Sequence, residues 1–97
     1  MLPWQTVESD KKMKIGVAGT LESSDVMITV READALKITI ESIVFAYFSE
    51  QIHNTILSTL REMNITNVHV LCQDKGALDY VIKARLKTAI ERMKQHA

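Results

Sequence analysis

The hydrophobic period of this chain changes after Ser42, and the change limits what the chain can fold into. Up to Ser42, apolar residues alternate with polar ones; directly beyond it they recur every three or four positions. Ile15 and Val17 point one way with Gly16 and Ala18 opposite, which describes a short strand ending at Gly19-Thr20. Val26, Ile28 and Val30 alternate with Met27, Thr29 and Arg31, and Leu36, Ile38 and Ile40 alternate with Lys37, Thr39 and Glu41. Period two across both segments predicts two half-buried strands. The polar break from Glu32 to Ala35 implies a hairpin between them, although it lacks the Asn-Gly or Asp-Gly that tight turns favour.

After Ser42, Phe45, Phe48, Ile52, Ile56, Leu60 and Met63 form a helical stripe, and Glu50, Asn54 and Arg61 fall away from it. This predicts an amphipathic helix of about five turns. Asn64 is placed to end it, because Asn tolerates the left-handed conformation. Val68, Val70 and Cys72 then alternate as a fourth strand, with Cys72 facing inward as a small core residue. Asp74 is an N-cap candidate for a second helix. Leu78, Val81, Ile82, Ala89, Ile90 and Met93 trace that helix's apolar face, and Gly76 relieves crowding at its start. Asp79 and Lys83 are spaced for a surface ion pair.

The order β-β-β-α-β-α predicts an α+β two-layer sandwich, with a four-stranded sheet and two helices packed on one face. If the third and fourth strands are parallel neighbours, the helix between them makes a right-handed crossover. Met27 and Leu71 fall on the opposite face of the sheet, where a cluster of them would mark a subunit contact.

Ninety-seven residues suit one domain. Twelve basic and twelve acidic side chains cancel, so no overall field favours nucleic acid or an anionic membrane. No apolar run approaches the ~20 residues that span a bilayer. Residues 1–12 (MLPWQTVESDKK) stand apart: they are polar, hold the only Pro and the only Trp, and show no period. They are expected to be a poorly ordered N-terminal extension, with Met13 a candidate native start. They lack the apolar core of a secretory signal. With Cys72 as the only cysteine, no internal disulfide can form, and a cytoplasmic location is the expectation.

Few residues invite chemistry. His53, His69 and His96 are spaced far apart with one distant cysteine, unlike the close pairs of a zinc site. Nothing in the sequence converges them on a serine, as a catalytic triad requires. Three scattered glycines make no phosphate loop. Lys83, Arg85, Lys87, Arg92 and Lys94 make the second helix basic, which reads as a solvated face before it reads as a docking face. Aromatics are 5% of the chain and absent from the predicted strands, which disfavours an RNA-binding sheet. The most distinctive stretch is Ala18-Gly19-Thr20-Leu21-Glu22-Ser23-Ser24-Asp25. Its two adjacent serine hydroxyls sit between acidic residues in a loop joining two strands. On residue chemistry alone they make a turn. A serine displayed there also suits a residue that another protein must reach and modify.

That block, with Asp74-Lys75-Gly76-Ala77-Leu78-Asp79 and the run on to Leu86, resembles the acyl carrier protein of citrate lyase, its gamma subunit. The resemblance runs from about Met13 to the C-terminal helix, making 13–97 the carrier domain. It implies a non-catalytic carrier. In that family the first serine of the Glu-Ser-Ser-Asp run, here Ser23, bears 2'-(5''-phosphoribosyl)-3'-dephospho-coenzyme A through a phosphodiester. Glu22, Ser24 and Asp25 are then supporting loop residues. A separate prosthetic-group transferase (the holo-carrier synthase) attaches the group. The alpha subunit exchanges acetyl for citryl on its thiol, and the beta subunit cleaves citryl thioester, so that citrate becomes acetate and oxaloacetate. The carriers of citramalate lyase and malonate decarboxylase are the neighbouring alternatives. An unmodified protein-interaction module is the alternative from another class.

Overall fold

The computed structural model describes residues 14–42 and 45–95, with the side chains of 45–48 outside the description. The expected extension at 1–12, and His96, lie outside the described residues. The elements are β1 (Ile15–Gly19), β2 (Val26–Glu32), β3 (Lys37–Ser42), α1 (Phe45–Glu62), β4 (Val68–Asp74) and α2 (Asp79–Gln95), in the predicted order.

The four strands form one mixed sheet in the order β1-β2-β4-β3. β1 pairs antiparallel with β2 and β2 antiparallel with β4, whereas β3 runs parallel to β4. The hairpin expected between β2 and β3 is therefore absent: β4 lies between them. The Ala33 N–H donates to the Asn67 carbonyl at 3.0 Å, so the chain leaving β2 bonds to the residue that leads into β4. Alternation reports which face a residue takes and not which strand lies alongside, so it cannot register such an insertion. The parallel β3–β4 pair needs a crossover, and α1 supplies it.

The inward face is one continuous patch. Ala18, Ile28 and Cys72 stand in register across β1, β2 and β4, and Ile38 and Ile40 of β3 pack on the edge of the core. α1 buries Ile52, Ile56 and Leu60, as its stripe predicts; Phe45 and Phe48 lie among the side chains outside the description. Thr59 is buried beside that stripe because its hydroxyl donates back to the Thr55 carbonyl at 2.8 Å. Asn64 ends the helix at φ 58, the left-handed value expected of it. α2 buries Ile82, Leu86, Ala89, Ile90 and Met93. Leu86 joins the expected stripe, and Leu78 leaves it, being 61% exposed ahead of the first turn.

The small residues of β1 face the covered side, while Ile15 and Val17 are exposed. Their size is what lets α2 approach. A Cβ at Gly16 would overlap the Ala89 carbonyl. On β2, Thr29 and Arg31 are buried although they belong to the outward phase. Strands on both sides flank them: Thr29 stands between Val17 and Leu71, and Arg31 between Ile15 and His69. Met27 and Leu71 are half-buried on that face.

Two expectations at the start of α2 fail together. Asp74 does not cap it, because an N-cap must directly precede the first turn. The Val81 and Ile82 N–H groups both donate to the Leu78 carbonyl, which puts the start four residues later. Gly76 relieves no crowding, since a Cβ there would meet nothing within 4 Å; its φ of 96° is what calls for glycine.

Gly16→Ala is expected to lower stability by about 1–3 kcal/mol, the usual cost of overpacking a close contact. Urea denaturation of the two proteins measures it.

Candidate functional site

The serine loop is a tight turn on a locked base. The Asp25 N–H donates to the Glu22 carbonyl at 3.1 Å, closing a turn with Ser23 and Ser24 at its centre. Ser24 has φ 66, the left-handed second position of a type II turn, where glycine is usual. A serine stays in that conformation only when its surroundings over-determine it. Two contacts do so from outside the loop. The Ser24 N–H donates to the Lys75 carbonyl at 2.8 Å, and the Lys75 N–H donates to the Asp25 carbonyl at 2.9 Å. Residues 18–25 and 74–79, far apart in the chain, are thus one bonded unit in space.

Asp25 is the hub of the base. Its carboxylate accepts the Thr20 hydroxyl at 2.6 Å and the Val26 N–H at 2.7 Å. It also takes both Arg85 Nε (3.2 Å) and Nη2 (3.1 Å), a two-pronged ion pair from α2. The Thr20 hydroxyl in turn accepts the Glu22 N–H at 3.2 Å. The Thr20 hydrogen bond, the Val26 N–H and Arg85 hold the Asp25 carboxyl at about 2, well below its ordinary 3.8. The sequence reading names Thr20 in the loop block and Arg85 on the basic helix but gives neither a part in the site. Arg85 lies sixty positions from Asp25, and no spacing rule links them.

Ser23 is at the exposed tip with Leu21, Glu22 and Ser24. Among the described residues its hydroxyl makes no hydrogen bond. The other sequence candidates are scattered. His53 is exposed on α1 and His69 half-buried on β4, its pKa lowered by burial and by nearby Arg31 and Lys37. Cys72 is buried in the core, and burial, then the Asp74 carboxylate, push its thiol up to about 12. Among the described residues no three His, Cys, Asp or Glu side chains are grouped to hold a metal, and no helix is long and apolar enough to cross a membrane.

The basic side chains of α2 turn back onto the protein. Lys83 and Lys87 both pair with Glu62 of α1, at 3.1 and 3.3 Å, and Arg92 Nη1 donates to the Val17 carbonyl at 2.7 Å. The expected Asp79–Lys83 pair is replaced by contacts between the helices, because Gln51 of α1 donates to Asp79 at 2.8 Å.

The loop serine thus stands exposed on a rigid base, and among the described residues no histidine bonds to it. The family model for acyl carrier proteins of the malonate decarboxylase delta subunit type matches residues 13–93. The citrate lyase acyl carrier protein of Haemophilus influenzae (strain PittEE) is 50% identical over 82 residues, covering 84% of this chain and 86% of that one. That of Halothermothrix orenii is 47% identical over 81 residues, covering 82% and 86%. That of Lactiplantibacillus plantarum is 52% identical over 77 residues, covering 78% and 80%. The chain belongs to the citrate lyase acyl carrier protein family. Its fold is shared by a chain of a Pseudomonas malonate decarboxylase hetero-tetramer, with TM-score 0.61 at 17% identity over 81% of this chain and 82% of that one.

Two outcomes follow for the site. A carboxylate whose pKa is lowered on folding lends stability above its unfolded value and loses it as pH falls through the folded one. The loop is therefore expected to hold from neutrality down to 3.8 and to loosen between there and about 2. Asp25→Asn should abolish that acid step and speed Ser24 amide exchange at neutral pH; hydrogen-exchange NMR reads both. Cys72 should resist a thiol reagent at pH 8 in the native protein and react on unfolding, measured by absorbance of the released thiolate.

Proposed function

We propose that this chain is the acyl carrier subunit of citrate lyase and that Ser23 bears the phosphoribosyl-dephospho-coenzyme A group. The observation that carries the reading is the displayed Ser23 hydroxyl on the base locked by Asp25, within a chain about half identical to citrate lyase carriers. The residues suit such a group. The tip is open to solvent, so a bulky adduct meets no wall. The Arg85 guanidinium beneath it offers positive charge to a phosphodiester, since its side chain remains 42% exposed.

The structure also supports Ser23 over Ser24. Ser24 is left-handed and its backbone is fastened to Lys75, whereas Ser23 has neither restraint among the described residues. An attaching enzyme must draw the hydroxyl into its own site, and the freer residue yields more readily.

When bound, the group supplies a thiol that holds acetyl or citryl as a thioester. The chain's part is to display the anchor and keep its base rigid while the arm moves between the alpha and beta subunits. Tethering raises the local concentration of the acyl group at those partners. No general base or metal is required of the carrier, and a cytoplasmic setting fits a chain with one buried thiol. Citramalate lyase remains the second reading for the whole complex, because the carrier's task there is the same.

Ser23→Ala is expected to remove the added mass and the carrier activity without unfolding the domain, since a loop serine contributes little to the core. Ser24→Ala should still be modified, more slowly. Peptide mapping of the protein co-expressed with the transferase and its precursor decides the matter; added mass on Ser24 would reverse the assignment. Activity reconstituted with citrate or with citramalate lyase subunits separates the two complexes.

A further inference from the structure

The stretch Asp74–Asp79 is the part of the sequence signature to which attachment at Ser23 assigns no task. Its backbone bonds to the serine loop through Lys75. Immediately beyond, at Gly76, the chain walls a cleft of about 530 Å³ between this stretch and α1. That is within the ~300–1,000 Å³ range of small-molecule sites. Ile52, Ala77, Leu78 and Tyr80 make most of the lining apolar. Leu78 and Tyr80, 61% and 71% exposed, are the most exposed large apolar side chains among the described residues.

The polar atoms of the cleft are few. Gln51 Nε2 donates to Asp79 Oδ2, which leaves Gln51 Oε1 and Asp79 Oδ1 as acceptors without a partner among the described residues. Both oxygens of Asp74 are in use, one by the Ala77 N–H at 2.9 Å and the other by the Ser42 hydroxyl at 2.8 Å. The cleft thus offers apolar surface and spare acceptors, and its carboxylates repel phosphate.

We infer that this cleft is a resting site for the pantetheine segment of the group carried on Ser23. The inference rests on the proposed function. Pantetheine alternates methylenes with secondary amides. Its methylenes match Ile52, Leu78 and the Tyr80 ring, and its N–H groups match the spare acceptors of Gln51 and Asp79. The nucleotide end, with its phosphates, is excluded by charge. Affinity need not be high. A short tether gives an effective concentration on the order of millimolar, so a site with a millimolar dissociation constant is about half filled. Such weakness lets the arm leave for a partner subunit, while its terminal thiol is shielded between visits.

The test uses the full chain in its modified form, with the added mass on Ser23 confirmed first. Because Cys72 is buried and its thiol is held protonated, the arm supplies the reactive thiol. Its reaction with a disulfide reagent is expected to be about two-fold slower than that of free pantetheine, as half occupancy dictates. The double variant Leu78→Ser, Tyr80→Ser, at two exposed positions, should restore the free rate. NMR amide shifts between modified and unmodified protein should include Gly76, Ala77 and Leu78. A modified protein whose thiol reacts at the free rate, with shifts confined to residues 20–25, overturns the inference and leaves the carrier reading intact. If no mass is added to Ser23, the carrier reading falls. The cleft is then tested by titrating free pantetheine onto the unmodified chain at millimolar concentration. Shifts at 76–80 uphold a pantetheine site, and their absence overturns it.

Discussion

The placement of β4 between β2 and β3 is the constraint on which the rest of this structure depends. Its ladder to β2 is antiparallel and its ladder to β3 parallel, which fixes the ends of the sheet. Val26 and Ser42 both stand in register with Asp74. The end of β1, the start of β2 and the ends of β3 and β4 therefore lie along one side of the sheet. The serine loop and the loop into α2 meet there. Had β2 and β3 paired directly, the two loops would have lacked the shared Lys75 contacts that bind them into one unit.

What gathers at that side is a rigid base beneath a free tip. The Asp25 carboxylate joins the loop to β2 through the Val26 N–H and to α2 through Arg85. With that base fixed, the backbone bonds to Lys75 hold Ser24 in a conformation that costs energy for any residue with a side chain. Ser23 is left out of this network. For the attachment proposed at Ser23 the division is useful: an anchor on a floppy segment would blur where the arm begins, and an anchor buried in the network would be out of reach of an attaching enzyme. The same economy governs α2. Its cations look on paper like a docking face, yet four of the five named ones contact Glu62, Asp25 or the Val17 carbonyl. Those contacts are made within the fold, so most of that face's charge is already partnered.

Close approach is the other requirement. α2 lies against β1 because Gly16 has no side chain on its covered face. Arg92 then reaches over the edge strand to the Val17 carbonyl. An edge strand with its outward carbonyl occupied is a poorer template for pairing with another chain. The small-residue face of β1 thus serves packing, and it also leads straight into the loop that displays Ser23.

Much of this was legible from the chain. Residue periodicity determined the six elements and their order, because a side chain's face follows directly from the 2.0 and 3.6 periods of strand and helix. It also determined the inward phase of Cys72, and asparagine's tolerance of the left-handed conformation marked the helix end at Asn64, both local properties. The resemblance of residues 18–25 and 74–86 pointed to a carrier and to Ser23. Tertiary structure alone decided the strand order, the start of α2 at Asp79, the role of Asp74 and the partners of Asp25. Strand order depends on which ladder buries the most surface, and α2 starts where the Leu78 carbonyl, not the Asp74 side chain, accepts its first bonds. The Asp25–Arg85 pair spans sixty residues, and only folding brings such groups within hydrogen-bond reach.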